Sequence, residues 1–145
     1  LMTEAAKTLE GPASAGDLKP AVDQYALAFH RLEAVLGKLR DAPPAFALQN
    51  ALPVLDMMGH VVAGGLLLDQ AAMAREKLGA MAAERGARPP DEAALRALLA
   101  DSAEARFYHG KMQAAIHFAF RALPQVQAQA VALEAEDDSA LRVAF

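Results

Sequence analysis

The chain has 145 residues, no cysteine and a formal net charge of −4. That length suits one domain, and the missing cysteines exclude a disulfide framework, a thiol nucleophile and a cysteine-based metal site. Acids and bases are interspersed, so there is no basic face for nucleic acid. Alanine dominates, β-branched residues are sparse and Gly-Asn or Asp-Gly hairpin turns are missing, which makes the class all-α.

Residues 1–10 carry neither the positive start nor the apolar run of a signal peptide. With Gly11-Pro12 and the small residues 14–16 behind them, they predict a frayed end or linker over 1–16, ahead of a bundle over 17–145. Asp17 is the predicted N-cap of a first helix over about 18–40, with Pro20 tolerated in its first turn. Val22, Tyr25, Phe29, Leu32, Leu36 and Leu39 fall three or four apart and form one apolar stripe. Asp41-Ala42-Pro43-Pro44 stops that helix.

A second helix is predicted from Pro44 to about Arg85, with a kink or restart at Pro53, which lacks an amide hydrogen and clashes with the preceding turn. Its stripe takes in Leu48, Leu52, Leu55, Gly59, Val62, Leu66 and Met73. The stretch 51–68, ALPVLDMMGHVVAGGLLL, is apolar on every face. Pro53, Asp56 and His60 interrupt it, leaving the clean run short of the ~18 residues of a membrane span. A helix apolar all round needs cover all round, so this segment predicts a central, fully buried helix. Gly59, Ala63, Gly64 and Gly65 are the candidate positions where a neighbouring helix comes close.

Gly86 and Pro89-Pro90 end the second helix, and Asp91 is the predicted cap of the third. An unbroken third helix over 91–136 would be ~69 Å long, far beyond the ~15 Å radius of gyration of such a domain. A break is therefore expected at Pro124 or around 101–104. In the tail, Leu141, Val143 and Phe145 either dock back on the body or stay free. Short connections predict an up-down-up bundle of three long kinked helices, countable as four or more.

The residues that could carry chemistry do not assemble into a catalytic set. Asp56 and His60, four apart, read first as a satisfied buried polar pair; the alternative is an oriented histidine acting as base or metal ligand. His109 and His117 are eight apart, too far for one metal on one helical face. Phe107, Tyr108, Phe118 and Phe120, at helical spacing, read as core before they read as a ligand pocket. Gly64-Gly65 lies mid-helix and has no strand before it, so it is not a phosphate loop.

Three segments carry a family resemblance: ALPVLDMMGHVVAGGLLLDQAAMA at 51–74, ARFYHGKMQAAIHFAFRALPQVQA at 105–128 and SALRVAF at 139–145. Together they resemble the C-terminal accessory domain of bacterial acyl-CoA dehydrogenases, in the subgroup of methylmercaptopropionyl-CoA dehydrogenase-like enzymes. The VAGG of 62–65, the ARFYHGK of 105–111 and the Leu123-Pro124 step are the most telling pieces.

The resemblance implies a part of a flavoenzyme. The parent oxidises the Cα–Cβ bond of an acyl-CoA thioester, with a glutamate taking the α-proton and FAD taking the β-hydride, and both belong to segments upstream. No family catalytic, cofactor-binding or metal residue maps onto this chain, whose role would be structural. The implied partners are the upstream dehydrogenase domains of the same chain, within a homo-oligomer. The implied setting is cytoplasmic bacterial fatty acid metabolism, with no membrane partner expected. The alternative is a stand-alone helical interaction or dimerisation module, motivated by a 54% hydrophobic composition with few charges to cover it. Peripheral membrane association ranks below both, because the helices lack a Lys/Arg-rich polar face.

Overall fold

Proline and glycine mark off six α-helices among the described residues between 19 and 134. The computed structural model describes residues 7–11, 13, 16–86 and 92–143, and among these there is no strand. After a 3-10 turn at Gly16–Leu18, α1 spans Lys19–Arg40, α2 Pro44–Gln49, α3 Ala51–Glu84, α4 Glu92–Asp101, α5 Ala103–Arg121 and α6 Pro124–Glu134. A second 3-10 turn covers Ser139–Arg142.

The N-cap of α1 is Leu18, with no side-chain cap. Asp17, the expected cap, sits one residue further back in the tight turn, where its carboxylate meets Arg75 of α3 at 3.3 Å instead. The predicted second helix breaks at Asn50, three residues before Pro53. The reason is local: a continuous helix would need the Pro53 amide to donate to the carbonyl of Gln49, and the proline ring would clash there. Restarting at Ala51 places Pro53 in a first turn, where no amide is needed, and Val54 N–H donates to the Asn50 carbonyl at 3.2 Å. Gly86, at φ 75°, closes α3. Asp91, Pro89 and Pro90 lie outside the described residues.

The third predicted helix breaks at both expected places. Ser102 caps α5, its hydroxyl accepting from the Ala105 amide at 3.1 Å, and Pro124 opens α6 after a turn at 122–123. The breaks cut the rod into pieces of 10, 19 and 11 residues.

Cross-helix contacts give the directions. Tyr25 meets Gly64 and Gly65 while Asp17 meets Arg75, so α1 and α3 run antiparallel. Lys111 reaches Gln70 and Phe118 faces His60, so α3 and α5 are antiparallel as well. Arg31 donates to Gln127 and Glu134, and Lys38 meets Glu136, so α6 runs alongside α1 in the same direction. The result is the up-down-up bundle, with α5 and α6 forming one broken third leg.

Val22, Tyr25, Phe29 and Leu32 of the predicted first stripe are buried, and Leu36 and Leu39 pack against the core from its edge. Of the expected linker over 1–16, residues 1–6, 12, 14 and 15 lie outside the described residues. Within it, 7–10 are helical, and Thr8 and Ala13 are buried against the bundle.

Candidate functional site

The expectation of a fully buried α3 is overturned. α3 packs on α1, α5 and α6 through Val54, Met57, Val61, Gly64, Leu68 and Leu78, while its opposite face is bare. The stripe predicted to form its contact surface is the one facing outward. Leu52 is 68% exposed, Leu55 63%, Val62 45%, Leu66 58% and Met73 60%, and Leu48 of α2 extends the row at 77%. Because the helix is apolar on two sides, its own periodicity does not say which side turns inward. The domain has neighbours for one side only.

Beside this row lies α5, which adds Phe107 and, less exposed, Phe118. The predicted core assignment of the aromatic group therefore fails for Phe107 and Phe120, which stand at 59% and 46% exposure. Tyr108 and Phe118 are half-buried against the core edge. Lys111 folds over the Phe107 ring at 5.6 Å, and its ammonium donates to Gln70 at 3.0 Å, which locks α5 to α3 beside the bare row. Between Arg40 and Arg75 the chain has no lysine or arginine at all. Solvated helix faces usually carry such residues, and a contiguous apolar patch of this kind marks an interaction surface.

The four packing candidates divide. Gly64 and Gly65 are buried, and a Cβ on Gly64 would stand 3.1 Å from Leu123 Cδ2 and 3.3 Å from Tyr25 Cδ2. Three legs of the bundle thus meet on Gly64. Gly65 makes room for the Tyr25 hydroxyl, 3.1 Å from where its Cβ would lie. Gly59 is exposed with nothing within 4 Å of a Cβ, so it is no packing position within the domain, and Ala63 is only half-buried. Asp56 and His60 do not form a buried pair: Asp56 is exposed, and the His60 ring is 2.8 Å from the Asp56 backbone carbonyl through Nδ1. The helix turns the Asp56 carboxylate outward, so the ring settles on the carbonyl one turn back.

A buried polar cluster lies elsewhere, around Thr8 and Tyr25. The Tyr25 hydroxyl hydrogen-bonds with Thr8, whose own hydroxyl donates to Asp69 at 3.3 Å. Burial, then the Asp69 charge, push the Tyr25 hydroxyl above its ordinary pKa. Thr8 and Asp69 are 61 residues apart, and no local pattern announces their meeting.

The family model described as acetyl-CoA dehydrogenase C-terminal like matches residues 1–144. The chain belongs to that family. It is thus a C-terminal accessory domain of the acyl-CoA dehydrogenase kind, and the matched span takes in the bare α3 face, the Gly64 layer and the broken third leg. Comparison with curated proteins and with solved structures returns no match.

A cleft of about 480 Å³ lies between the end of α1, the α1–α2 connection and the end of α6 of the accessory domain. Leu39, Phe46, Leu133 and Leu141 give it an apolar floor. Leu141 is one of the tail residues expected to dock or stay free; it lines this cleft while Val143 remains exposed, and Phe145 lies outside the described residues. At the rim, Glu136 adopts φ 54°, the left-handed position that usually falls to glycine, and Lys38 holds its carboxylate at 3.0 Å. Beside it Asp137 accepts from the Ser139 amide and hydroxyl, which hold its carboxyl below the ordinary value.

At the rim each carboxylate is ion-paired, Glu134 with Arg31, Glu136 with Lys38, Asp41 with Arg40 and Asp138 with Arg142. Among the described residues no three His, Asp or Glu side chains are grouped to hold a metal ion. His109 and His117 lie on α5 without convergent partners.

Proposed function

We propose that this accessory domain is a packing element of a flavin-dependent acyl-CoA dehydrogenase, covering protein surface in the assembled enzyme through the bare face of α3. The observation that carries the reading is the outward row from Leu48 to Met73, set in a stretch free of lysine and arginine. Family membership supports an acyl-CoA dehydrogenase as the source of those surroundings. The FAD, the base and the acyl-CoA site belong to the dehydrogenase portion ahead of this domain. FAD bound there would supply the hydride-accepting chemistry; this chain contributes shape and apolar surface. Cytoplasmic acyl-CoA oxidation in a bacterium, within fatty acid metabolism, is the setting that fits these parts.

The test begins with the coding sequence immediately upstream of Leu1. A flavin-binding dehydrogenase domain in frame is the expected result, and its absence would refute the reading. Within the full protein, Leu55→Glu and Leu66→Glu should weaken assembly, since each sets a charge in an apolar contact, while the flavin spectrum stays unchanged. Unaltered assembly in both variants would show that the bare face covers nothing.

A further inference from the structure

We propose that α2 and the chain from Glu136 to Arg142 form a single flap over the cleft at this end of the bundle, and that it opens as one unit while the helices beneath stay folded. The flap is a property of the domain itself, whatever covers the α3 face.

Burial marks out the movable part. No residue between Val35 and Val54 is buried, and none from Glu134 to Val143. All of α2 and the whole turn Ser139–Arg142 are therefore held by half-buried or exposed side chains. Apolar burial is the main support of a fold, so elements without it are the ones that open locally. Just below them the bundle is closed. Arg31 ties α1 to α6 through Glu134 at 2.7 Å, and Val35 and Leu133 stand at 2% and 7% exposure.

One hydrogen bond makes the two parts a unit. Gln49 Nε2, at the end of α2, donates to the Asp137 carbonyl at 3.2 Å, across 88 residues of chain. Neither part leaves the cleft without breaking that bond. What shuts the flap is modest. Lys38 pairs with Glu136 at 3.0 Å, but both side chains are largely in water, where such a pair is worth little. Phe46 of α2 and Leu141 of the turn line the cleft and supply its apolar hold.

Two features of the closed state favour release. Glu136 holds φ 54°, a conformation that strains any residue with a Cβ. Gln49 Oε1 is buried with no hydrogen-bond partner among the described residues, an unmet acceptor that opening returns to water. Against them, opening wets the apolar floor of Val35, Leu39 and Leu133, which draws the flap back. The flap is thus shut at rest and opens far more readily than the bundle unfolds.

The experiment is thiol labelling of the folded 145-residue chain, which has no cysteine of its own. Val35→Cys and Leu133→Cys each put a thiol on the cleft floor. Val61→Cys, at a position with 0% exposure, puts one in the α3 core away from the cleft. Circular dichroism checks that each variant keeps the helical fold, and the two floor positions report independently. Both floor thiols should label about tenfold or more faster than the Val61→Cys thiol, at rates nearly flat in urea, because opening exposes little surface. Adding Gln49→Ala should raise both floor rates by the same factor, about fivefold for one hydrogen bond. Floor thiols that label at the Val61→Cys rate, with the same urea dependence, would show that only global unfolding uncovers the cleft and would overturn the proposal. So would acceleration by Gln49→Ala at one floor position alone, or at neither.

Discussion

Replacing Gly64 by leucine probes the layer where α1, α3 and the third leg converge. A Cβ there already stands 3.1 Å from Leu123 Cδ2, 3.4 Å from Leu123 Cδ1 and 3.3 Å from Tyr25 Cδ2. Both neighbours are enclosed, Leu123 at 1% and Tyr25 at 2% exposure, so neither can swing into solvent. Leucine adds an isopropyl group beyond that Cβ, into space the two side chains already fill. Overpacking of this kind costs about 1–3 kcal/mol. Removing a mid-helix glycine returns up to about 1 kcal/mol, leaving a net loss of up to about 2 kcal/mol for the leucine variant. For a chain of this size a loss of about 2 kcal/mol lowers the melting temperature by roughly 7 °C. Alanine at the same position sets the helix gain against a smaller clash and should fall near neutral. The internal control is Gly79→Ala in the same helix, where nothing lies within 4 Å of a Cβ; it should gain about 0.5–1 kcal/mol. Thermal melts of the three variants, followed by circular dichroism, decide the matter. If Gly64→Leu melts with the wild type while Gly79→Ala rises, the three-helix contact on Gly64 is wrong.

Further expectations follow from the same contacts. The Tyr25 hydroxyl holds its proton more tightly in the fold than the ordinary value of 10.0, so its contribution to stability is complete below that pH and is lost as pH rises through the folded value. Tyr25→Phe should therefore flatten the alkaline limb of a stability–pH curve, at a cost of about 1 kcal/mol at neutral pH for the lost hydrogen bond; an alkaline limb unchanged in the variant would count against the buried hydroxyl. Arg31 ties α1 to α6 through Gln127 at 2.9 Å and Glu134 at 2.7 Å. Arg31→Ala should lower the urea midpoint by the equivalent of about 1 kcal/mol without changing the slope, and a changed slope would mean that the two legs separate before the bundle unfolds.

Much of the architecture is legible along the chain because its causes are local. Pro44, Pro53, Gly86, Ser102 and Pro124 act on the backbone within a turn of themselves, so they mark helix ends without reference to the rest of the molecule. The α1 stripe is equally readable, since it has one apolar side and that side must be inside. Even the shift of the break from Pro53 to Asn50 follows from which carbonyl the missing amide would have used.

What the sequence could not decide is which apolar side of α3 faces in. Leu52, Leu55, Leu66 and Met73 are as hydrophobic as Met57, Val61 and Leu68 and recur at the same period, so the choice rests on where α1 and α5 lie. Gly64 is a meeting point and Gly59 an open one for the same reason. Nor does any spacing bring Thr8 to Asp69 and Tyr25; only packing closes a gap of 61 residues. The amino-acid sequence by itself determines the helices, their order and the excess of apolar surface. The tertiary structure decides which part of that surface becomes core and which is left facing outward, because burial depends on neighbours that are distant in the chain.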